Sequence, residues 1–355
     1  MILRSHALEA CVSTIPPLAL LYSKSLIFVR IYYILSSMTL QQIYDLGISM
    51  ATKADPRGEK GVKVSLDRLK KDYETLPDKK KKLFDKESLS NPYSDSRILV
   101  GDPKLEVKKI LAGIDADASE ILLADRLNQK QEKIDLVISH HPSGHALAGL
   151  YEVMDIQIEM FAFAGVPVNV SHSLLQERKA VVQRKLSPLN HNQAVDTARL
   201  LKIPLLALHT VWDNMGNKFM QDYLAKKNFQ STGEVLDYIN EIPEFIESTK
   251  GKAGPFIAAG SESSRAGKIA VGFTGGTSPS KELYAELAKA GVGTLVEMHV
   301  SEEVLVELKK LHINIIECGH MAADSIGANL FLDQLEKKGV ETIACSGLIR
   351  VRRKK

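Results

Sequence analysis

The chain has 355 residues, of which 45% are hydrophobic and 25% charged, and its formal net charge is +3. This is the composition of a globular protein long enough for two domains with sizeable cores. The small net charge argues against nucleic acid or an acidic membrane as the main partner. Cys11, Cys318 and Cys345 form no CxxC pair; this is typical of free thiols in a reducing compartment and predicts a cytoplasmic protein.

Residues 1–37 differ in character from the rest of the chain. They are mostly apolar, but Pro16, Lys24 and Arg30 interrupt them before they reach the ~20 residues of a membrane-spanning helix. A signal peptide would have a basic start, one continuous apolar block and a small-residue cleavage site. We therefore expect residues 1–37 to be a non-core N-terminal extension that arises from an upstream start. A membrane or export segment is the alternative.

Apolar residues at helical spacing, from Leu40 to Met50, predict a first helix, which Asp55-Pro56 ends. Residues 61–89 are rich in charge and include a basic run at Lys79–Lys82. A solvated helix face is the favoured interpretation of this run, and contact with phosphate is the alternative.

After Pro103, short apolar runs alternate with helical segments. The predicted strands are Ile110–Ile114, Leu136–Ile138, Val166–Val170, Ile203–Leu208, Lys268–Phe273, Thr294–Met298, Ile313–Ile316 and Thr342–Ala344. The predicted helices are Glu120–Lys130, Gly149–Ala164, one beginning near Asp213, one at Thr232–Glu241, and Lys281–Ala290, Glu302–Leu311 and Ala322–Lys338. This alternation predicts a two-lobed α/β protein with mostly parallel sheets flanked by helices.

The predicted domain organisation has four parts after the extension. We expect a helical, charged N-terminal segment at 38–99, a first α/β lobe at 100–250, a second α/β lobe at 251–319, and a return to the first lobe at 320–355. The boundary near residue 250 rests on the Gly/Pro break from Gly251 to Pro255.

Two adjacent histidines, His140 and His141, follow the apolar run Leu136–Ile138 and precede Pro142. The run predicts a buried parallel strand that ends at the carboxyl edge of its sheet, where ligands bind in open α/β sheets. Successive side chains of an extended backbone point in opposite directions, so the pair is suited to serve two metal ions. A pair of satisfied structural histidines is the alternative.

Three more strand ends carry potential ligands. His209 and Asp213 lie at one strand-to-helix junction, His299 ends another strand, and His320 precedes Asp324 by four residues. On a helix, His320 and Asp324 would share one face about 5–6 Å apart. Mixed imidazole and carboxylate donors suit zinc, manganese, iron or nickel, and the lack of thiolates argues against a closed structural zinc site.

Three motifs carry a family resemblance: Ile-Ser-His-His-Pro, His-Thr-x-x-Asp-Asn-x-x-Gly-Asn and Gly-His-x-x-x-Asp-Ser-x-Gly. In this order, over roughly residues 100–350, they resemble the NIF-three-like family, whose members are often labelled GTP cyclohydrolase I type 2 homologs. The resemblance implies a toroidal homohexamer with a dinuclear metal centre that faces an internal cavity. The metal ligands that it implies are His140, His141, Asp213, His320 and Asp324.

The chain also departs from the pattern of this family. Asp324 stands where the family usually has glutamate, and Glu297-Met298-His299 stands where many relatives have Thr-Gly-Glu. The aspartate is shorter by one methylene, and the second change lies on the substrate side of the pocket.

The implied chemistry is that of a metal-dependent hydrolase acting on a nucleotide or another phosphorylated small molecule. Two divalent cations can share a water, lower its pKa and stabilise an oxyanion; in the cyclohydrolase version, hydroxide attacks C8 of guanine. His209 and His145 are the candidate catalytic residues for proton transfer, and Asp115 is a candidate for orienting an imidazole. Helix capping or packing is the alternative for His209 and Asp115.

Two further interpretations remain open. The loop Thr274–Ser278 is either a tight turn between a strand and a helix or a cradle for phosphate. The whole protein, in turn, is either a hydrolase or a non-catalytic metal-handling or ring-shaped scaffold protein that uses the same ligands.

Overall fold

The computed structural model describes residues 37–353. The predictions for the N-terminal extension therefore lie, except for residue 37, outside the described residues. Within residues 37–353, no helix combines the length and the apolar character needed to cross a membrane.

The strands, in chain order, are β1 (Met38–Thr39), β2 (Ser96–Val100), β3 (Glu106–Val107), β4 (Lys109–Gly113), β5 (Leu136–Ser139), β6 (Leu205–Leu208), β7 (Phe256–Ala259), β8 (Lys268–Gly272), β9 (Val292–Glu297), β10 (Asn314–Glu317) and β11 (Glu341–Cys345). The α-helices are α1 (Leu40–Ala54), α2 (Gly58–Thr75), α3 (Asp78–Lys81), α4 (Ala118–Gln129), α5 (Gly144–Ala148), α6 (Ile156–Phe163), α7 (Val168–Leu186), α8 (Gln193–Leu201), α9 (His209–Leu224), α10 (Thr232–Ile239), α11 (Pro243–Lys250), α12 (Lys281–Lys289), α13 (Glu302–Lys310) and α14 (His320–Lys337). Short 3-10 helices cover Lys86–Leu89 and Leu150–Asp155.

The first sheet has the strand order β11-β4-β5-β6-β2. Its first four strands are parallel, and β2 lies antiparallel to β6 at the edge. All four residues of β5 are buried, as expected for a central strand covered by helices on both faces.

The second sheet has the strand order β7-β10-β9-β8. Strands β8, β9 and β10 are parallel, and β7 is the antiparallel edge. Helix α14 connects the two sheets, because it begins after β10 of the second sheet and leads into β11 of the first.

Helices α9 and α14 pack against each other over much of their length, and α1 packs against α9. The close approach depends on glycine: a Cβ at Gly327 of α14 would overlap the carbonyl oxygen of Trp212 on α9. Gly216 lies opposite, where an added Cβ would be 3.6 Å from the nitrogen of Gly327. This crossing brings the first turns of the two helices, which carry the candidate ligands, side by side.

The predicted fold class, α/β with mostly parallel sheets flanked by helices, is confirmed. The charge-rich segment is also solvated as expected, because Val62 is the only buried residue of α2. The domain boundaries stay a prediction.

One predicted strand is wrong. Residues 166–170 run into helix α7, which begins at Val168 directly after Pro167. A short apolar run does not by itself distinguish a strand from a helix, and the fixed φ of proline suits the entry to a helix. The sequence prediction also missed β2 and β7, which are both short antiparallel edge strands.

Candidate metal centre

The backbone of the adjacent histidines is fixed at the carboxyl edge of the first sheet. The N–H of His140 donates to the carbonyl of Gly113 at 3.0 Å, and that of His141 donates to Ile114 at 2.9 Å. These bonds extend the pairing of β5 with β4 by two residues, so both side chains leave the sheet edge from a rigid strand end. His140 is fully buried, whereas His141 is partly exposed.

His209 and Asp213 lie one turn apart on α9. The helix begins at His209 rather than near Asp213 as the sequence suggested, so the two side chains share one face, with 3.8 Å between His209 Nδ1 and Asp213 Oδ2. Both residues are buried.

His320 and Asp324 occupy the first turn and a half of α14. The prediction that they share one helical face is confirmed by a distance of 3.4 Å between His320 Nε2 and Asp324 Oδ2. Asp324 is buried, while His320 is partly exposed and stacks on His299, with ring centroids 4.7 Å apart.

The five residues implied as ligands converge around Asp324. Its Oδ1 lies 3.5 Å from His140 Nε2, which is 3.2 Å from Asp213 Oδ1. Its Oδ2 lies 3.6 Å from His141 Nε2, and the Nε2 atoms of His141 and His320 are 3.4 Å apart. Two groups of donors thus share one carboxylate: His140, Asp213 and Asp324 in one, and His141, His320 and Asp324 in the other. A third group that could hold an ion consists of His140, His141 and His209.

The polar atoms of this cluster fit a cation better than they fit one another. Both ring nitrogens of His140 and both oxygens of Asp324 are buried and have no hydrogen-bond partner within residues 37–353. Although His140 Nε2 lies close to two carboxylates, none of these contacts has hydrogen-bond geometry. Unpaired buried polar groups are costly, and a divalent ion between these donors would satisfy them.

Two carboxylates lie at the Nδ1 atoms of His141 and His209 and fix the orientation of these rings. Asp115 Oδ1 lies 2.6 Å from His141 Nδ1, and Asp95 Oδ2 lies 2.8 Å from His209 Nδ1. Each Nδ1–H donates to its carboxylate, which leaves the Nε2 lone pair free for a metal or a proton. Asp95 is fully buried and also accepts from the hydroxyl of Thr210 at 2.7 Å.

The pKa values of His140 and His141 are shifted by burial and by the neighbouring charged groups. Burial, with the neighbouring His140 and His209, lowers the pKa of His141 to about 4, so this imidazole is neutral at pH 7. For His140, burial lowers the pKa, but the carboxylates of Asp324 and Asp213 outweigh it and hold the pKa well above its ordinary value. The pocket between these carboxylates attracts positive charge, and a divalent ion would replace the proton there.

A cavity of about 380 Å³ opens beside the cluster. His141, His209, Asp213 and His320 contribute to its wall from the first sheet and α14. The remaining wall comes from α6, α12, the carboxyl ends of β8 and β9, and the segment 273–279 that follows β8, and it is largely apolar. The candidate ligands are thus accessible to a small molecule.

Several predicted residues lie elsewhere or have another role. His145 is exposed on α5, with Arg97 as a charged neighbour, and lines neither the cavity nor the cluster. The cap of α4 is Asp117 rather than Asp115, and its side chain accepts from the N–H of Ser119. In the loop Thr274–Ser278, Gln157 Nε2 donates to the carbonyls of Gly275 and Thr277, and α12 is capped separately by Ser280. These contacts favour the tight turn over the phosphate cradle.

The sequence prediction missed Asp95 as a partner of His209. The residue lies in a turn before an edge strand that has no recognisable pattern. Only the antiparallel register, which pairs Ser96 with Leu208, brings the preceding Asp95 next to the following His209.

The fold resembles that of a NIF3 superfamily protein from Sphaerobacter thermophilus, with a TM-score of 0.68 and 25% sequence identity over 88% of this chain and 100% of that chain. Weaker similarities connect it to reduced HcgD from Methanocaldococcus jannaschii (TM-score 0.45, 14% identity, 70% of this chain and 87% of that one) and to a Bacillus cereus protein related to NIF3 (TM-score 0.39, 12% identity, 71% and 91%). No family model and no curated protein matches the sequence. The fold shared with the Sphaerobacter protein supports the resemblance to the NIF-three-like family that the three motifs carry.

Proposed function

We propose that this protein is a dinuclear metal-dependent hydrolase of a small molecule. In this proposal one divalent ion would be held by His140, Asp213 and Asp324, and the other by His141, His320 and Asp324. The observation that carries the proposal is the position of Asp324, whose two unpaired oxygens face two separate groups of candidate ligands. The resemblance to the family supports assembly into a homohexamer, which also stays a prediction.

When bound, a pair of divalent cations supplies Lewis-acid chemistry that polarises the substrate and acidifies water. Three protein donors for each ion leave coordination positions open, which favours a reactive site over a structural one. The residues of the chain itself have two tasks. Asp115 fixes the ring of His141, and His209, oriented by Asp95, offers Nε2 to accept or donate a proton in the cavity.

Metal binding can be followed by the fluorescence of Trp212. Trp212 is the only tryptophan of the chain, and its ring is stacked on that of His140 with 5.4 Å between centroids. Titration with Mn²⁺ is therefore expected to quench Trp212 fluorescence and to saturate at about two ions per chain. His141→Ala removes one donor group, so we expect about one ion to remain and turnover to be lost.

The control for this titration is His172→Ala, which removes an exposed histidine of α7. Turnover is measured on GTP, 4-nitrophenyl phosphate and 4-nitrophenyl butyrate. Two bound ions without hydrolysis of any of these substrates would favour the metal-handling function instead. An unquenched Trp212 with no bound ion would contradict both functions.

The role of His209 is tested by substituting Asp95, which contacts its Nδ1. Asp95→Asn weakens the orientation of the ring, and we expect a roughly 10- to 100-fold loss of turnover with both ions retained. Because the Asp95 carboxylate raises the pKa of His209, its loss is expected to move the acidic limb of the pH–rate profile to lower pH. Asp45→Asn on the exposed face of α1 is the matched control. Loss of metal together with activity would show that Asp95 acts on the fold rather than on His209.

A further inference from the structure

Among residues 37–353, no lysine or arginine lines the cavity beside the metal cluster, and its basic side chains are all histidines. Two cations beside the wall are engaged by backbone carbonyls: Arg178 donates to the carbonyl of Ser278, and Lys268 donates to that of Ala164. A nucleoside triphosphate carries several negative charges, and proteins meet such charge with charge-assisted donors. This wall supplies none away from the ions.

Large apolar side chains make up much of the wall, next to the uncharged polar side chains of Gln157, Thr274, Thr277 and Ser278. Met160 and Phe161 of α6, Leu287 of α12, Leu295 of β9, and Val271 and Phe273 at the end of β8 line the cavity. Ligand sites of this kind bury most of a small molecule against apolar surface and fix its orientation with a few polar groups. The shape and chemistry of the wall thus select an uncharged body.

One acidic side chain, Glu297 at the carboxyl end of β9, lies in this apolar wall. It is buried, and its Oε1 accepts from the hydroxyl of Tyr284 at 3.2 Å. Its second oxygen has no protein partner among residues 37–353. Gly272, paired with Glu297 across β8 and β9, makes room for the carboxyl group, because a Cβ at Gly272 would overlap it.

We propose, on the basis of the two-metal hydrolase proposed above, that its substrate is a compact, uncharged and largely apolar molecule that has, besides the bond to be hydrolysed, one polar group that hydrogen-bonds Glu297. An amide or ester carbonyl fits this description. The reacting bond lies at the metal cluster, and the apolar body fills the space between α6, α12 and the second sheet. A nucleotide or other phosphorylated compound does not match this wall.

The protonation of Glu297 supports a contact with a carbonyl. Burial, opposed by the hydrogen bond from Tyr284 and reinforced by the charge of Glu317, raises its pKa from 4.5 to about 8. The other groups that face it are the Cys318 thiol and, behind Tyr284, Arg178. Glu297 is therefore mainly neutral at pH 7 and can donate a hydrogen bond, whereas above pH 8 it is ionised and can only accept.

The test uses two matched probes in calorimetric titrations of the metal-free protein: neutral N-phenylbutanamide and dianionic phenyl phosphate. At pH 7 we expect the amide to bind at least tenfold more tightly, and its affinity to fall several-fold between pH 7 and pH 9.5. Glu297→Gln keeps an uncharged donor and should abolish this pH dependence, while His209 and the other titrating groups remain. Glu262→Gln, on the exposed loop after β7, should leave it unchanged.

A second variant reverses the charge preference without touching the metal cluster. Leu287→Arg places a cation in the wall and should weaken the amide and strengthen phenyl phosphate. Binding of phenyl phosphate or GTP to the unmodified metal-free protein at least as tightly as the amide would overturn the proposal, as would a pH dependence that persists in Glu297→Gln. Because these titrations need no metal, their outcome is independent of turnover by the metal-loaded protein, which tests the hydrolase function separately.

Discussion

Asp324→Asn is expected to abolish the binding of both metal ions. Asp324 is the one residue whose oxygens face both donor groups, Oδ1 towards His140 and Oδ2 towards His141 and His320. An asparagine amide keeps the shape but offers one neutral oxygen in place of two charged ones. We expect the affinity loss to exceed the roughly 10- to 100-fold that is typical of residues behind a ligand. Metal content after dialysis, measured by mass spectrometry, checks this result.

The contrast with single-group variants makes the prediction specific. His141→Ala should lose one ion, whereas Asp324→Asn should lose two. Asp222→Asn, an exposed aspartate at the far end of α9 that pairs with Lys218, should lose none. Retention of one tightly bound ion in Asp324→Asn would mean that the carboxylate does not bridge the two groups.

Gly327→Ala is expected to be among the most destabilising single-methyl substitutions in the chain. The added Cβ would overlap the carbonyl oxygen of Trp212 and lie 2.6 Å from its carbonyl carbon, and backbone atoms cannot move aside as a flexible side chain can. Overpacking costs about 1–3 kcal/mol in well-packed cores, and we expect about 3 kcal/mol or more here. The separation of α9 from α14 should also weaken metal binding, because Asp213 and Asp324 lie on opposite sides of the crossing.

Gly216→Ala provides the matched control at the same crossing. An added Cβ there lies 3.6 Å from its nearest neighbours, in ordinary contact, and alanine is favoured over glycine in a helix by about 1 kcal/mol. Chemical denaturation should therefore show Gly216→Ala to be neutral or slightly stabilising. Equal free energies of unfolding for the two variants would mean that α9 and α14 can separate enough to accept the extra methyl group without loss of stability.

Much of this centre follows from local sequence. A buried strand followed by His140, His141 and Pro142 signals a carboxyl sheet edge. The four-residue spacing of His320 and Asp324 gives their shared helical face. Both signals depend only on strand and helix periodicity, and both are present without knowledge of the rest of the chain.

Other features depend on contacts between distant segments and have no local signal. Asp95 reaches His209 through the register of an antiparallel edge strand. The position of the Glu297 carboxyl group depends on the pairing of β8 with β9, which places Gly272 beside it.

The path of α14 has a consequence for folding. The helix follows β10 of the second sheet, carries His320 and Asp324 near its start, and leads into β11, an edge strand of the first sheet. Cations bound between the first turns of α14 and the loops of the first sheet would cross-link the parts of the protein that contain the two sheets. The binding free energy, which favours the native state by mass action, is then shared by both parts, so the loaded protein unfolds as one cooperative unit.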